Sequence, residues 1–97
     1  MIHNVYFWLK ENADKDKFEE GAKSLFAIDV VQEGALGRLA PTPERPVTDK
    51  TFHYHLCLQF ASIEDHNAYQ AHAQHHQFVD NCNELWSRVV VYDSQRV

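Results

Sequence analysis

Large apolar side chains on both faces of one short run limit the fold more than any other feature of this chain. In Ile2–Leu9, His3, Val5, Phe7 and Leu9 alternate with Asn4, Tyr6 and Trp8. The run is dense in β-branched and aromatic residues and reads as a strand. A strand that is apolar on both faces must be covered on both. Phe52–Phe60 is a second clear strand, with Phe52, Tyr54, Leu56, Leu58 and Phe60 alternating against His53, His55, Cys57 and Gln59. Val30–Leu39 reads as a weaker strand, interrupted by Gly34 and Gly37 at a bulge or bend. Val89–Asp93 reads as a short final one.

Two helical stretches separate these strands. Asn12 or Asp14 can cap the first, which runs to about Ala27 with Phe18, Ala22, Leu25 and Phe26 as its inner stripe. Gly21 borders the stripe and suits a close approach to the sheet. Ser62 followed by Asp65 reads as a capping box opening the second, which passes through Tyr69, breaks near His72 and resumes to about Ser87. All three prolines fall in Ala40–Lys50, a hairpin connection without regular structure.

The order β-α-β-β-α-β, with right-handed crossovers, predicts an α+β ferredoxin-like sheet carrying both helices on one face. Ninety-seven residues suit one domain, 1–97. The helix-free face then presents Tyr6, Trp8, Val90 and Tyr92 beside His53 and His55. A chain of this size seldom leaves such a patch in water, and the same face of a second copy would cover it. A homodimer paired through its sheet faces is expected.

Charge and composition exclude other classes. The net charge is −5 and there is no basic run, so no nucleic-acid partner is expected. No apolar run has the length of a membrane span, and the first strand begins almost at Met1, leaving no room for a signal peptide. A cytoplasmic protein is expected. Cys57 and Cys82 sit in apolar patterns and read as buried thiols, not as a disulfide framework or a nucleophile. Gly34-Ala35-Leu36-Gly37 lacks the spacing of a phosphate loop.

The chemistry concentrates in Tyr69–Phe78. Residues three or four apart share a helix face, so Tyr69, His72 and then His75 with His76 lie along one stripe. That stripe continues as Phe78, Val79, Cys82, Leu85 and Trp86, which turns the imidazoles and the phenol toward the domain interior. Such a setting serves a proton-transferring residue and equally a hydrogen-bonded core histidine. His53-x-His55 and His72-x-x-His75-His76 also raise the question of a metal. Neither set is joined by a carboxylate or thiolate at a familiar spacing, so no metal and no cofactor is expected.

Four segments carry a family resemblance: His3-x-Val5-x-Phe7-x-Leu9-Lys10, Phe60-x-Ser62-x-Glu64, Tyr69-x-x-His72-x-x-His75-x-x-Phe78 and Trp86-x-x-Val89-x-Val91-x-Asp93. Together they resemble the stress-responsive dimeric α+β barrel (Dabb) family over nearly the whole chain, least from Ala27 to Lys50. The resemblance implies the ferredoxin-like unit paired through its sheets into a barrel. One plant member closes a polyketide ring by aldol condensation, and its catalytic tyrosine and histidine are similar in place to Tyr69 and His75. By the same resemblance Asp93 stands where that histidine's orienting carboxylate does. The ligand-lining positions correspond to His3, Val5, Phe7, Leu56, Phe78, Trp86, Val89 and Val91, and His72 is counted with them. The chain departs from the pattern at Ala73, where the family usually has proline, and at Ala22, where the cyclase carries a second tyrosine.

Three functions are therefore expected to compete. In the first, a dimer holds a small, largely apolar or aromatic molecule between sheet and helices, with Val5, Phe7, Leu56, Phe78 and Trp86 as the apolar wall. In the second, a cyclase-like lyase uses His75, oriented by Asp93, as general base and Tyr69 as hydrogen-bond donor to an oxyanion. The third is a monooxygenase-like barrel, which would need His3 or His72 facing a cavity large enough for a porphyrin. The plain alternative to all three is that His75 and Asp93 merely tie helix to strand.

Overall fold

β1 (Ile2–Leu9) runs through the interior of the sheet, as its two apolar faces require. The computed structural model describes residues 1–97 and continues with α1 (Lys15–Ser24), β2 (Glu33–Arg38), β3 (Tyr54–Gln59), α2 (Ile63–Ala71), α3 (Ala73–Cys82) and β4 (Trp86–Ser94). Short 3₁₀ turns occupy Leu25–Ala27 and Asn83–Leu85. The strands lie in the order β2-β3-β1-β4, with every neighbouring pair antiparallel. This is the ferredoxin-like arrangement, in which each β-α-β half spans a strand of the other.

Local chemistry explains the element ends. Asp14 caps α1, its Oδ1 accepting from the Lys17 N–H at 3.0 Å. Asn12 turns the chain out of β1 with φ 62°, a left-handed conformation that asparagine tolerates. Ser62 caps α2, its Oγ accepting from the Asp65 N–H at 3.1 Å. The break between α2 and α3 falls on His72, which is extended at φ −69° and ψ 141°. Its Nδ1 accepts from the Gln74 N–H at 3.0 Å, so a histidine cap restarts the helix without the proline.

Three strands differ from the sequence-based expectation, the Phe52–Phe60 run narrowing to β3. The weak strand shortens to β2, leaving Val30 and Val31 half-buried in a turn. The last strand begins at Trp86 and not at Val89. Pairing with β1 recruits the extra residues: Trp86 opposes Leu9 across a register shift at Trp8/Leu9, and the Lys10 N–H donates to the Leu85 carbonyl at 2.9 Å.

Both helical layers cover the His3–Leu9 face of the sheet. Phe18, Ala22 and Leu25 have no exposed area and pack against Phe7, Tyr54 and Phe78. Gly21 does allow a close approach, but to α3 and not to the sheet. A Cβ there would sit 2.8 Å from Cys82 Sγ and 3.2 Å from Phe78 Cδ1.

The other sheet face is built from stacked rings. Tyr6 stacks on His55 with centroids 4.5 Å apart, and His55 Nε2 lies 2.8 Å from Asn4 Oδ1. The Arg88 guanidinium sits 4.4 Å over the Trp8 ring. The Trp8 indole N–H donates to Thr51 Oγ1 at 2.9 Å, and the Thr51 hydroxyl donates to Asp49 at 2.6 Å, which latches the end of the proline-rich loop to the sheet. A hollow of about 310 Å³ remains here, lined largely by Tyr6, Trp8, Phe52, Val90 and Tyr92. No helix is long and apolar enough to cross a membrane.

Gly21→Ala is expected to lower stability by about 1–3 kcal/mol through overpacking against Cys82 and Phe78. Alanine's better helix propensity, worth about 1 kcal/mol, works against that loss. The urea midpoint checks it; a raised midpoint would show that the α1–α3 contact is loose.

Candidate functional site

Strand register assembles the polar cluster. Antiparallel pairing of β1 with β4 puts His3 directly opposite Asp93, so both side chains project from the same face. His3 Nδ1 lies 2.5 Å from Asp93 Oδ1. His3 is 3% exposed, whereas the Asp93 side chain, on the edge strand, is 40% exposed. The His3 ring tilts against His66 at 4.9 Å and meets Tyr69 and Phe60 edge-on at 5.8 and 6.2 Å.

The helix stripe supplies the other wall. Tyr69 is 1% exposed, and the His75 ring lies edge-on to it at 4.8 Å. His75 Nδ1 is buried without a hydrogen-bond partner of good geometry in the protein. A buried imidazole nitrogen left unpaired is costly unless something met there repays it.

Burial controls the protonation states. It lowers the His75 pKa, helped by His76 and His3, against a smaller upward pull from the Gln70 carbonyl. Burial also lowers the His3 pKa and outweighs the opposing hydrogen bond and charge of Asp93. Tyr69 is pushed well above the ordinary tyrosine value by burial alone. Near neutrality His3 and His75 are therefore uncharged imidazoles, which can accept protons, and Tyr69 is a neutral phenol, which can donate a hydrogen bond.

Several expectations change. Asp93 orients His3 and not His75, because the register seats it across from His3 while α3 holds His75 against Tyr69. The expected tie between His75 and Asp93 is absent for the same reason. Val5, Phe7, Leu56 and Phe78 are 1–6% exposed and pack into the core instead of walling an open space. Phe7, Phe78 and the half-buried Trp86 meet one another with centroids 5.1–6.3 Å apart, so aromatic packing fills the space where β1, α3 and β4 meet.

Val89 and Val91 oppose Phe7 and Val5 and face the same side, yet remain 43% and 48% exposed because the helices stop short of β4. His72 is exposed and occupied with its capping role. With His3 sealed between Phe60, His66 and Tyr69, neither histidine faces a space that fits a porphyrin. His66 escaped the sequence reading although it stands three residues before Tyr69, on the same face of α2.

Fold and cluster together define a ferredoxin-like α+β domain with a histidine–tyrosine–carboxylate group between its sheet and helices α2 and α3. The chain belongs to the stress-responsive A/B barrel domain family, whose profile matches residues 2–96. Similar solved structures include a Dabb family protein with a ferredoxin-like fold from Mesorhizobium loti (24% identity, 99% of this chain and 95% of that one, TM-score 0.80). A hydroxynitrile lyase from Passiflora edulis is similar at 19% identity, over 94% of this chain and 87% of that one, with TM-score 0.78. A dimeric ferredoxin-like protein of unknown function from Jannaschia is similar at 17% identity, over 98% and 97%, with TM-score 0.74. None of the curated protein sequences matches the chain.

The lowered histidine pKa values set a pH dependence. In the unfolded chain each histidine titrates near ~6.5, above its folded value for His3, His55 and His75. The unfolded state then binds more protons, so stability is complete above that value and falls as pH drops through the folded pKa values. Urea unfolding at pH 7 and pH 5 is expected to show lower stability at pH 5. Imidazole NMR titration is expected to place His3 and His75 below ~6.5, and values above that would reverse the argument.

Proposed function

We propose that the protein is a single-domain homodimer that holds a small, largely apolar molecule at the β4 edge, beside His3, Tyr69, His75 and Asp93. The observation that carries this reading is the uncovered helix-facing side of β4. Val89 and Val91 present an apolar strip there, Trp86 stands at one end and Asp93 at the other. Sparse polar groups beside an apolar wall are the ordinary chemistry of a small-ligand site. Val5 and Phe7 stand beside the strip as its cross-strand partners, and Leu56 and Phe78 belong to the packed core. His72, on the solvent side of the helix break, bounds the region at most.

The dimer reading rests on the Tyr6, Trp8, Val90 and Tyr92 face and is supported by the dimeric Jannaschia protein of the same fold. Apolar area covered there contributes about 25 cal/mol per Å². A cytoplasmic setting is in keeping with the free thiols of Cys57 and Cys82.

A second reading, a lyase of the acid–base kind, is favoured by the unpaired Nδ1 of a neutral His75 against Tyr69. His75 would take a proton from substrate carbon or oxygen, and the Tyr69 hydroxyl would hydrogen-bond the oxygen that gains charge. The His75 imidazolium so formed would return that proton to the departing group, so that the proton taken is the proton given back. The hydroxynitrile lyase of the same fold supports this class.

Trp8→Glu is expected to yield a monomer in sedimentation at concentrations where the wild type sediments as a dimer; a monomeric wild type at high micromolar concentration would remove the dimer. For the lyase, an aromatic cyanohydrin serves as probe. Cyanide release is expected from the wild type, about 10²-fold or more slower in His75→Ala, and unchanged in Glu44→Gln on the exposed proline-rich loop. Release no faster than in buffer would overturn the lyase reading and leave binding to be tested by the same compound's effect on thermal stability.

A further inference from the structure

We propose that His3, His66 and Asp93 form a site for one divalent transition-metal ion of the zinc type. One donor atom from each of the three lies within 4.8 Å of the others. They come from three separate elements, β1, α2 and β4, so tertiary folding and not local sequence brings them together. Two imidazoles and one carboxylate are a donor set that suits zinc and its neighbours, and three protein ligands leave a further position open.

The donors are available to an ion. The His66 ring nitrogens make only long contacts, 3.2 Å to Asn67 Oδ1 and 3.4 Å to Gln70 Nε2. The His3 ring is held in orientation by Phe60 and Tyr69, which lowers the entropy lost when it binds. Asp93 is 40% exposed at the sheet edge, where it lines a hollow of about 270 Å³ together with Met1, Ile63, Ser94 and Gln95.

The 2.5 Å contact between His3 and Asp93 is where the ion would replace a proton. Donors on a tetrahedral zinc ion with bonds of about 2.0–2.1 Å stand about 3.3 Å apart. Asp93 must therefore swing outward by about 0.8 Å, and the widest donor pair, within 4.8 Å, must close by up to about 1.5 Å, movements that the exposed Asp93 and the half-buried His66 side chain can make. A cluster that served only proton transfer between His75 and Tyr69 would not need His66 so close to the His3–Asp93 pair. The ion site does not depend on the bound small molecule proposed above.

Cobalt(II) is the probe, added to metal-free full-length protein and followed by visible absorption and calorimetry. One ion per chain is expected, with the intensified visible bands of a four- or five-coordinate centre, displaced by zinc. His66→Gln and Asp93→Asn are each expected to weaken binding at least tenfold, and the double variant His72→Gln/His76→Gln to leave it unchanged. His66 is half-buried on a helix, so His66→Gln decides the matter even if Asp93→Asn fails to fold. No stoichiometric cobalt binding, or binding that survives His66→Gln and disappears in the His72/His76 variant, would overturn the site. Cyanohydrin binding by the metal-free protein is measured separately, so that failure of the ion site and failure of the ligand reading are distinguishable.

Discussion

The pairing of β1 with β4 is the constraint on which the rest of the site depends. It seats Asp93 opposite His3 and makes a buried imidazole tolerable by giving it a carboxylate partner. A slip of one residue would turn His3, Val5 and Phe7 to the other face and bring Asn4, Tyr6 and Trp8 under the helices. The hydrophobic pattern of β1 therefore protects the register, and the register in turn builds the polar cluster. Because Asp93 stands on an edge strand, the pair is sealed on the histidine side and open on the carboxylate side.

Aromatic packing decides where a small molecule could lie. Phe7, Phe18, Phe78 and Trp86 interlock beneath α3 and leave no room in the middle of the layer. α1 and α3 cover the strands from β2 to β1, and β4 is left with two exposed valines. Core stability and ligand access are thus divided between neighbouring strands of one sheet. Gly21 belongs to the same economy of space, since its missing side chain lets α1 close onto Cys82 and Phe78.

The outer sheet face carries a different kind of order. Its rings are stacked and hydrogen-bonded, with His55 on Tyr6, Arg88 over Trp8 and Thr51 joining Trp8 to Asp49. Such a surface is preorganised, so covering it costs little side-chain entropy. The proline-rich loop, which has no regular structure of its own, is anchored there through its last residues.

Strand parity and helical spacing, read from the amino-acid order alone, determined the fold class, the helix-bearing face and the inward turn of Tyr69 and His75. These are local periodicities, and each was carried by residues such as Phe7, Leu58 and Phe18 whose burial follows from hydrophobicity. The break at His72 was legible as well, although its cause, an imidazole cap on Gln74, was not. The partner of Asp93 could not be read, because it depends on which residue of a strand 90 positions away falls opposite it. Nor could the filling of the space between β1 and α3, which follows from how four aromatic rings from four elements meet. His66 joined the cluster only through the docking of α2 on β1. Sequence specifies which faces are apolar and which side chains can do chemistry; only the docking of elements far apart in the chain decides which of those side chains meet.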